Sequence, residues 1–162
     1  MDQQAFVALF REHLQDVSKY LVRRVPPNKV EDLASEIFEI AWRKKDACPK
    51  GFELAWLYKI AGFVVANHRR KAENKIIHLP LMDWDKAAPS AEDLALDGSD
   101  IAQAFAGLSA SDRQVLSLLV FDGLSVAEIA VALGTSANTA SQKLKRARQR
   151  LAKNLDKQLS EN

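Results

Sequence analysis

Apolar residues return every three or four positions through several stretches of this chain, the period of an amphipathic helix. Val30, Leu33, Ala34, Ile37 and Ala41 form one stripe, placed after Pro26 and Pro27, with Asn28 and Glu31 spaced as a capping box at its start. Trp56, Leu57, Ile60 and Val64 form another, in a helix that begins near Leu54 and closes on His68, Arg69, Arg70 and Lys71. Between the two, Asp46 to Glu53 contains Pro49 and Gly51 and reads as a loop. Further on, a helix opening at Ser109 or Ser111 carries Val115, Leu116, Leu119 and Val120 and stops at Asp122-Gly123.

The pattern is most informative near the end. Ser125 and Glu128 make a capping box before a short apolar helix, and Gly134 ends that helix where a tight turn needs positive φ. Thr135 or Ser136 caps the next one. Two helices joined across so short a turn form a helix-turn-helix, and Ala130 and Ala137 are small enough to let them approach. The last helix turns Ala140, Leu144, Ala147, Leu151 and Leu155 inward. Its opposite face begins with Asn138, Ser141 and Gln142 and continues with Lys145, flanked by Lys143, Arg146, Arg148 and Arg150. Short polar groups near a helix start suit base edges, while long cations beside them reach phosphates, which is how a recognition helix divides its contacts in the major groove.

Charge refines this picture. The net charge is only +2, but residues 1–74 carry 13 bases and 10 acids, residues 75–100 carry 2 and 6, and residues 101–162 carry 8 and 5. The acidic middle also holds two prolines and no sustained apolar period, so it reads as a flexible linker between two small helical domains, 1–74 and 101–162. At 48% hydrophobic, each domain has enough apolar material for a modest core, and the fold class is all-α. Asp32, Glu36, Glu39 and Arg43, at spacings of four, three and four, form a mostly acidic stripe away from the apolar one. Gly62 inside a helical pattern costs about 1 kcal/mol relative to Ala, which predicts close packing or an irregularity there.

Other chemistries find no footing. Cys48 is the single cysteine, and His13, His68 and His78 show no ligand spacing with it or one another, so neither a metal nor a cofactor is expected. The sequence holds no Gly-rich phosphate loop and no nucleophile paired with a base, so the chain is not expected to be an enzyme. It has no run of about 18 apolar residues, and MDQQAFVALF lacks a basic start before an apolar stretch, so the expectation is a cytoplasmic protein without membrane insertion.

Three blocks, VEDLASEIFEIAWRK (Val30 to Lys44), AWLYKIAGFVVANHRRK (Ala55 to Lys71) and LSASDRQVLSLLVFDGLSVAEIAVALGTSANTASQKLKRARQRL (Leu108 to Leu151), resemble in this order a bacterial RNA polymerase sigma factor of the two-domain extracytoplasmic-function type, within the sigma-70 family. The resemblance covers nearly the whole chain. It implies that the first block meets the clamp helices of the polymerase beta-prime subunit, making Asp32, Glu36, Glu39 and Trp42 a core interface, with the beta flap as a second contact. It implies that the loop Asp46 to Glu53 and the helix after it melt and hold the minus-ten element, with Phe52 and Phe63 stacking on bases and Lys50, Asn67, Arg69 and Arg70 beside the strand. It implies that Asn138, Ser141, Gln142, Lys143, Lys145, Arg146, Arg148 and Arg150 meet the minus-thirty-five element as duplex. Promoter DNA, core polymerase and an anti-sigma factor are the implied partners, and the acidic linker would run toward the RNA channels as a mimic of RNA or a simple spacer. Gly62 and Phe63 stand where the family usually has Arg-Asn, Asn67 where it has Asp, and Ala140 and Ser141 where it has Val and a base, so no relative's promoter carries over. The alternative is a stand-alone helix-turn-helix regulator that binds duplex as a dimer.

Overall fold

The computed structural model describes residues 1–73 and 84–161, and among them every regular element is helical. The first half folds as α1 (Gln3–Val22), α2 (Val30–Arg43) and α3 (Glu53–Ala72), and the second as α4 (Asp100–Ala106), α5 (Ala110–Val120), α6 (Val126–Leu133) and α7 (Ala137–Glu161). α1 and α4 go beyond the helices that periodicity predicts. α1 is capped by Asp2, which accepts from the Ala5 amide at 2.8 Å, and it buries Leu9, Val17, Tyr20 and Leu21; α4 is capped by Ser99.

Most predicted starts and stops are present. Ser109 caps α5, Ser125 and Glu128 cap α6 reciprocally, and Gly134 ends α6 at φ 65°. There the Thr135 amide donates back to the Ala130 carbonyl, closing the helix in the usual left-handed way. Ser136 accepts from the Thr139 amide at 3.1 Å and so caps α7. The Asn28–Glu31 box is absent: Pro27–Lys29 is a single 3-10 turn running straight into α2, so the helix entry is already hydrogen-bonded and Asn28 has no terminus to cap. On α5, Val120 is 65% exposed, while Gln114, Ser117 and Leu118 fill the inward face.

α1, α2 and α3 pack around Val17, Tyr20, Leu21, Ile37, Phe38, Leu57, Ala61 and Val64, and α4, α5 and α6 pack on α7 around Phe105, Val115, Leu118, Ile129, Leu144 and Ala147. α6 also lies against α3, so the two cores are continuous.

The acidic stretch differs most from expectation. Part of it, residues 75–83, lies outside the described residues, but residues 84–99 are a packed strap and not a solvated spacer. Trp84–Ala87 forms a 3-10 turn on α3, and Ala87, Ala88, Ala91 and Leu94 are buried. The reason is local. Trp84 donates its indole N–H to the Lys59 carbonyl at 3.1 Å and lies on Gly62, where a Cβ would stand 2.6 Å from its Cδ1. Small alanines then let the strap run flush with the helices, and Asp93 accepts from the Ser90 amide to hold its turn. Gly62 is thus explained by close packing.

Candidate nucleic-acid and polymerase interfaces

On α2, burying Leu33, Ala34, Ile37, Phe38 and Ala41 leaves Asp32, Glu36, Glu39 and Arg43 exposed along the other side. Trp42 extends that surface. It is 39% exposed, has Phe6 edge-on at 5.1 Å, and carries the Lys45 ammonium 4.1 Å over its ring. An aromatic fixed at the end of an acidic stripe offers both charge and apolar area to a basic partner.

On α7, the buried stripe Ala140, Leu144 and Ala147 leaves Asn138, Ser141, Gln142, Lys145, Arg146 and Arg148 exposed, and Lys143 is half-buried beside them. The polar residues sit within the first turns and the cations follow, so the face is graded from neutral to basic along the helix. Arg150 also has a partner within the fold. Its guanidinium makes two bonds, 3.0 and 3.1 Å, to the carboxylate of Asp112 on α5, whose side chain is 6% exposed. Arg150 therefore ties α7 to α5, although much of its side chain still faces water.

The α3 region departs further. Lys50 is exposed in the loop, where Gly51 takes φ +86° and donates its amide to Glu53 at 2.9 Å, a bond that holds the Glu53 carboxyl below its usual range. Phe52 and Phe63 are half-buried. Phe63 lines a cleft of about 360 Å³ with Trp56, Ile60, Lys44, Lys59 and Trp84. Asn67 is half-buried, and its side-chain oxygen meets no hydrogen-bond donor among the described residues. Arg69 and Arg70 are held within the fold. Arg69 donates to the carbonyls of Lys86, Ala88 and Arg24 at 2.8, 2.6 and 2.8 Å and pairs with Asp93, and burial pulls its pKa down; Arg70 is only 9% exposed. From Leu54 to Arg70 no residue of α3 is fully exposed.

A third cluster was not foreseen. Arg24, just past α1, has a fully buried side chain. It donates to the Ala87 carbonyl at 3.0 Å, the Tyr20 carbonyl at 3.2 Å, Gln114 Oε1 at 3.1 Å, Ser117 Oγ at 3.3 Å and Asp122 Oδ2 at 3.2 Å, and it lies 3.7 Å over the Tyr20 ring. Arg23 bonds the other Asp122 oxygen at 3.0 Å. Burial pushes the Asp122 carboxyl up, and Arg24 and Arg23 pull against it. The sequence signal was weak: two adjacent arginines and an Asp-Gly turn, each with an ordinary local reading.

The comparisons with known proteins follow the same division. A family model described as Sigma-70 region 2 matches residues 9–75, and one described as Sigma-70, region 4 matches residues 99–151. The chain is similar to the ECF RNA polymerase sigma factor SigL of Mycobacterium tuberculosis, 28% identical over 85% of this chain and 81% of that protein. It is similar to the RNA polymerase sigma factor NccH of Alcaligenes xylosoxydans, 29% identical over 93% and 86%. Its fold is similar to that of the sigma factor RpoE of Bartonella quintana in complex with the anti-sigma factor NepR, with a TM-score of 0.61, 22% identity, and coverage of 94% of this chain and 98% of that one.

Proposed function

The chain belongs to the sigma-70 family, in its extracytoplasmic-function branch, and from that premise we propose how its surfaces share the work of a transcription initiation factor. Asp32, Glu36, Glu39 and Trp42 on α2 engage the clamp helices of core polymerase, and the second domain meets the beta flap. The start of α7 reads the minus-thirty-five element through Asn138, Ser141 and Gln142, with Lys143, Lys145, Arg146 and Arg148 on phosphates. The loop before α3, with Lys50 and Phe52, and the α3 residues Phe63 and Asn67 hold the minus-ten strand. RNA synthesis itself belongs to the polymerase, which places the chain in the cytoplasm. An anti-sigma factor is a further partner, as the similar RpoE has one.

The observation that carries this reading is the graded, exposed face of α7 behind the Gly134 turn, in a chain whose first half matches region 2. A stand-alone dimeric regulator would leave the region 2 match and the acidic α2 surface without a role. The test is transcription in vitro from a genomic fragment library with purified chain and core polymerase, mapping the starts. Defined starts should appear only with both components, and starts equally frequent with core alone would overturn the reading. An arm with Asp32→Lys and Glu36→Lys should weaken core capture while circular dichroism stays unchanged. Two reversals are needed because one exposed ion pair is worth only about 0.2 to 1 kcal/mol.

A further inference from the structure

We propose that the cleft between the end of α2, the middle of α3 and Trp84 binds a small planar aromatic anion, a carboxylate or a phosphate ester carried on one ring system. The site itself is independent of the sigma-factor reading, but one consequence drawn below rests on it.

The walls are aromatic and the charge is of one sign. Trp56, Phe63 and Trp84 supply three rings, Ile60 adds apolar surface, and the two charged residues that line the cleft are Lys44 and Lys59. No carboxylate lines it among the described residues. Other lysines nearby are engaged: Lys45 lies 4.1 Å over the Trp42 ring, and Lys86 pairs with Glu73. Lys44 and Lys59 make no hydrogen bond or ion pair among the described residues. Two uncompensated cations beside apolar walls set up a positive potential that a ligand anion can satisfy.

The cleft is also built in advance. Trp84 spends its indole N–H on the Lys59 carbonyl at 3.1 Å, and the edge of its ring rests on Gly62, so the ring is fixed where a flat ligand can stack. The stem of Lys59 is packed as well, since a Cβ built on Gly134 would stand 3.6 Å from its Cε and 3.8 Å from its Nζ. Less freedom is then lost when a ligand is held. Size narrows the class. Ligand pockets run from about 300 to 1,000 Å³, and 360 Å³ is at the small end, which suits one ring system with one charged group. Phe63 is one of the rings assigned above to the minus-ten strand, so a bound ligand withholds it from the strand.

The test is calorimetry on the full chain with indoleacetate and adenosine monophosphate as probes, and with indoleacetamide, adenosine and inorganic phosphate as their partial counterparts. Tryptophan fluorescence is a second readout, because two of the three tryptophans line the cleft. At least one probe should bind and quench, and whichever binds more tightly identifies the source as an aromatic carboxylate or a nucleotide. Its uncharged counterpart should bind about tenfold more weakly, as should the charged probe to Lys59→Gln or, should that variant fold poorly, to Lys44→Gln. Lys157→Gln removes the same charge from an exposed site near the end of α7 and should change nothing. Binding of neither probe, equal binding of the uncharged counterparts, or equal loss in Lys157→Gln would overturn the site. Phosphate binding as tightly as the probes would mean an adventitious ion only. With holoenzyme, the probe at about ten times its dissociation constant should lower affinity for a minus-ten single strand about tenfold, and Lys59→Gln should be spared. Undiminished strand affinity with the probe bound would overturn the shared use of Phe63. Holoenzyme that captures no strand even without the probe would count against the sigma-factor reading instead, and calorimetry on the free chain would still decide the cleft.

Discussion

Gly62 shows how one residue ties the strap to α3. In an exposed helix, Gly62→Ala would gain about 1 kcal/mol from helix propensity. Here the new methyl would meet the Trp84 ring at 2.6 Å, and overpacking of that kind costs about 1 to 3 kcal/mol. Gly62→Ala should therefore lower stability in urea unfolding. In a Trp84→Ala background the ring is gone, and the same change should be neutral or stabilising, a sign reversal that a double-mutant cycle reads directly. An equal effect in both backgrounds would mean that Gly62 is there for another reason. Arg150 is instructive in the opposite way: its position on the flank of α7 suggested phosphate, but Asp112, nearly buried across the helix pair, claims the guanidinium.

At the scale of the element, the proposed function divides α7 into a part that reads bases and a part that holds phosphates. Gln142 is exposed within two turns of the Ser136 cap, and a Gln can make paired bonds to adenine. With holoenzyme, Gln142→Ala should cost about 1 to 3 kcal/mol on the cognate upstream element and little on altered ones. Arg148 is exposed and further along the helix, which suits it to a phosphate contact. Arg148→Ala should weaken all sequences alike and lower the salt slope by about 1. If Gln142→Ala weakens every sequence equally and Arg148→Ala changes preference at one base, α7 enters the groove differently from the orientation given above. α2 works by another division: one side supplies core, and the other stays acidic because no part of the described fold covers it.

At the scale of the whole molecule, buried residues of α1, α2 and α3 belong to the same apolar cluster as those of α5, α6 and α7, with Ala87, Ala91 and Leu94 of the strap between them. A continuous core couples the halves, so heat should unfold the free chain in one calorimetric transition. Two well-separated transitions in the parent chain would show that the interface contributes little. The same coupling accounts for the buried charges. Arg24 lies at the end of a helix in one half and Asp122 at the end of a helix in the other, and where the halves meet both side chains are out of water.

Much of this was legible in the chain alone, because the signals act over a few residues. Helical period, the Ser109, Ser125 and Ser136 caps and the positive φ at Gly134 need only their neighbours, and so the helix-turn-helix and its exposed face could be read directly. The close packing at Gly62 was legible too, as an unpaid helix penalty that demanded a reason, though not which ring supplied it. The contacts that local reading did not supply were decided at long range. Arg69 meets Arg24 across 45 positions, Arg24 meets Asp122 across 98, and Arg150 meets Asp112 across 38. An arginine has the same local signature whether it faces phosphate, a carbonyl or a buried carboxylate, because its long side chain is fixed by whatever the fold brings within reach. Composition made the strap look solvated for a related reason: its acids can stay at the surface while the alanines, Leu94 and Trp84 between them go inside, and only the docking surface on α3 and α5 determines that they do.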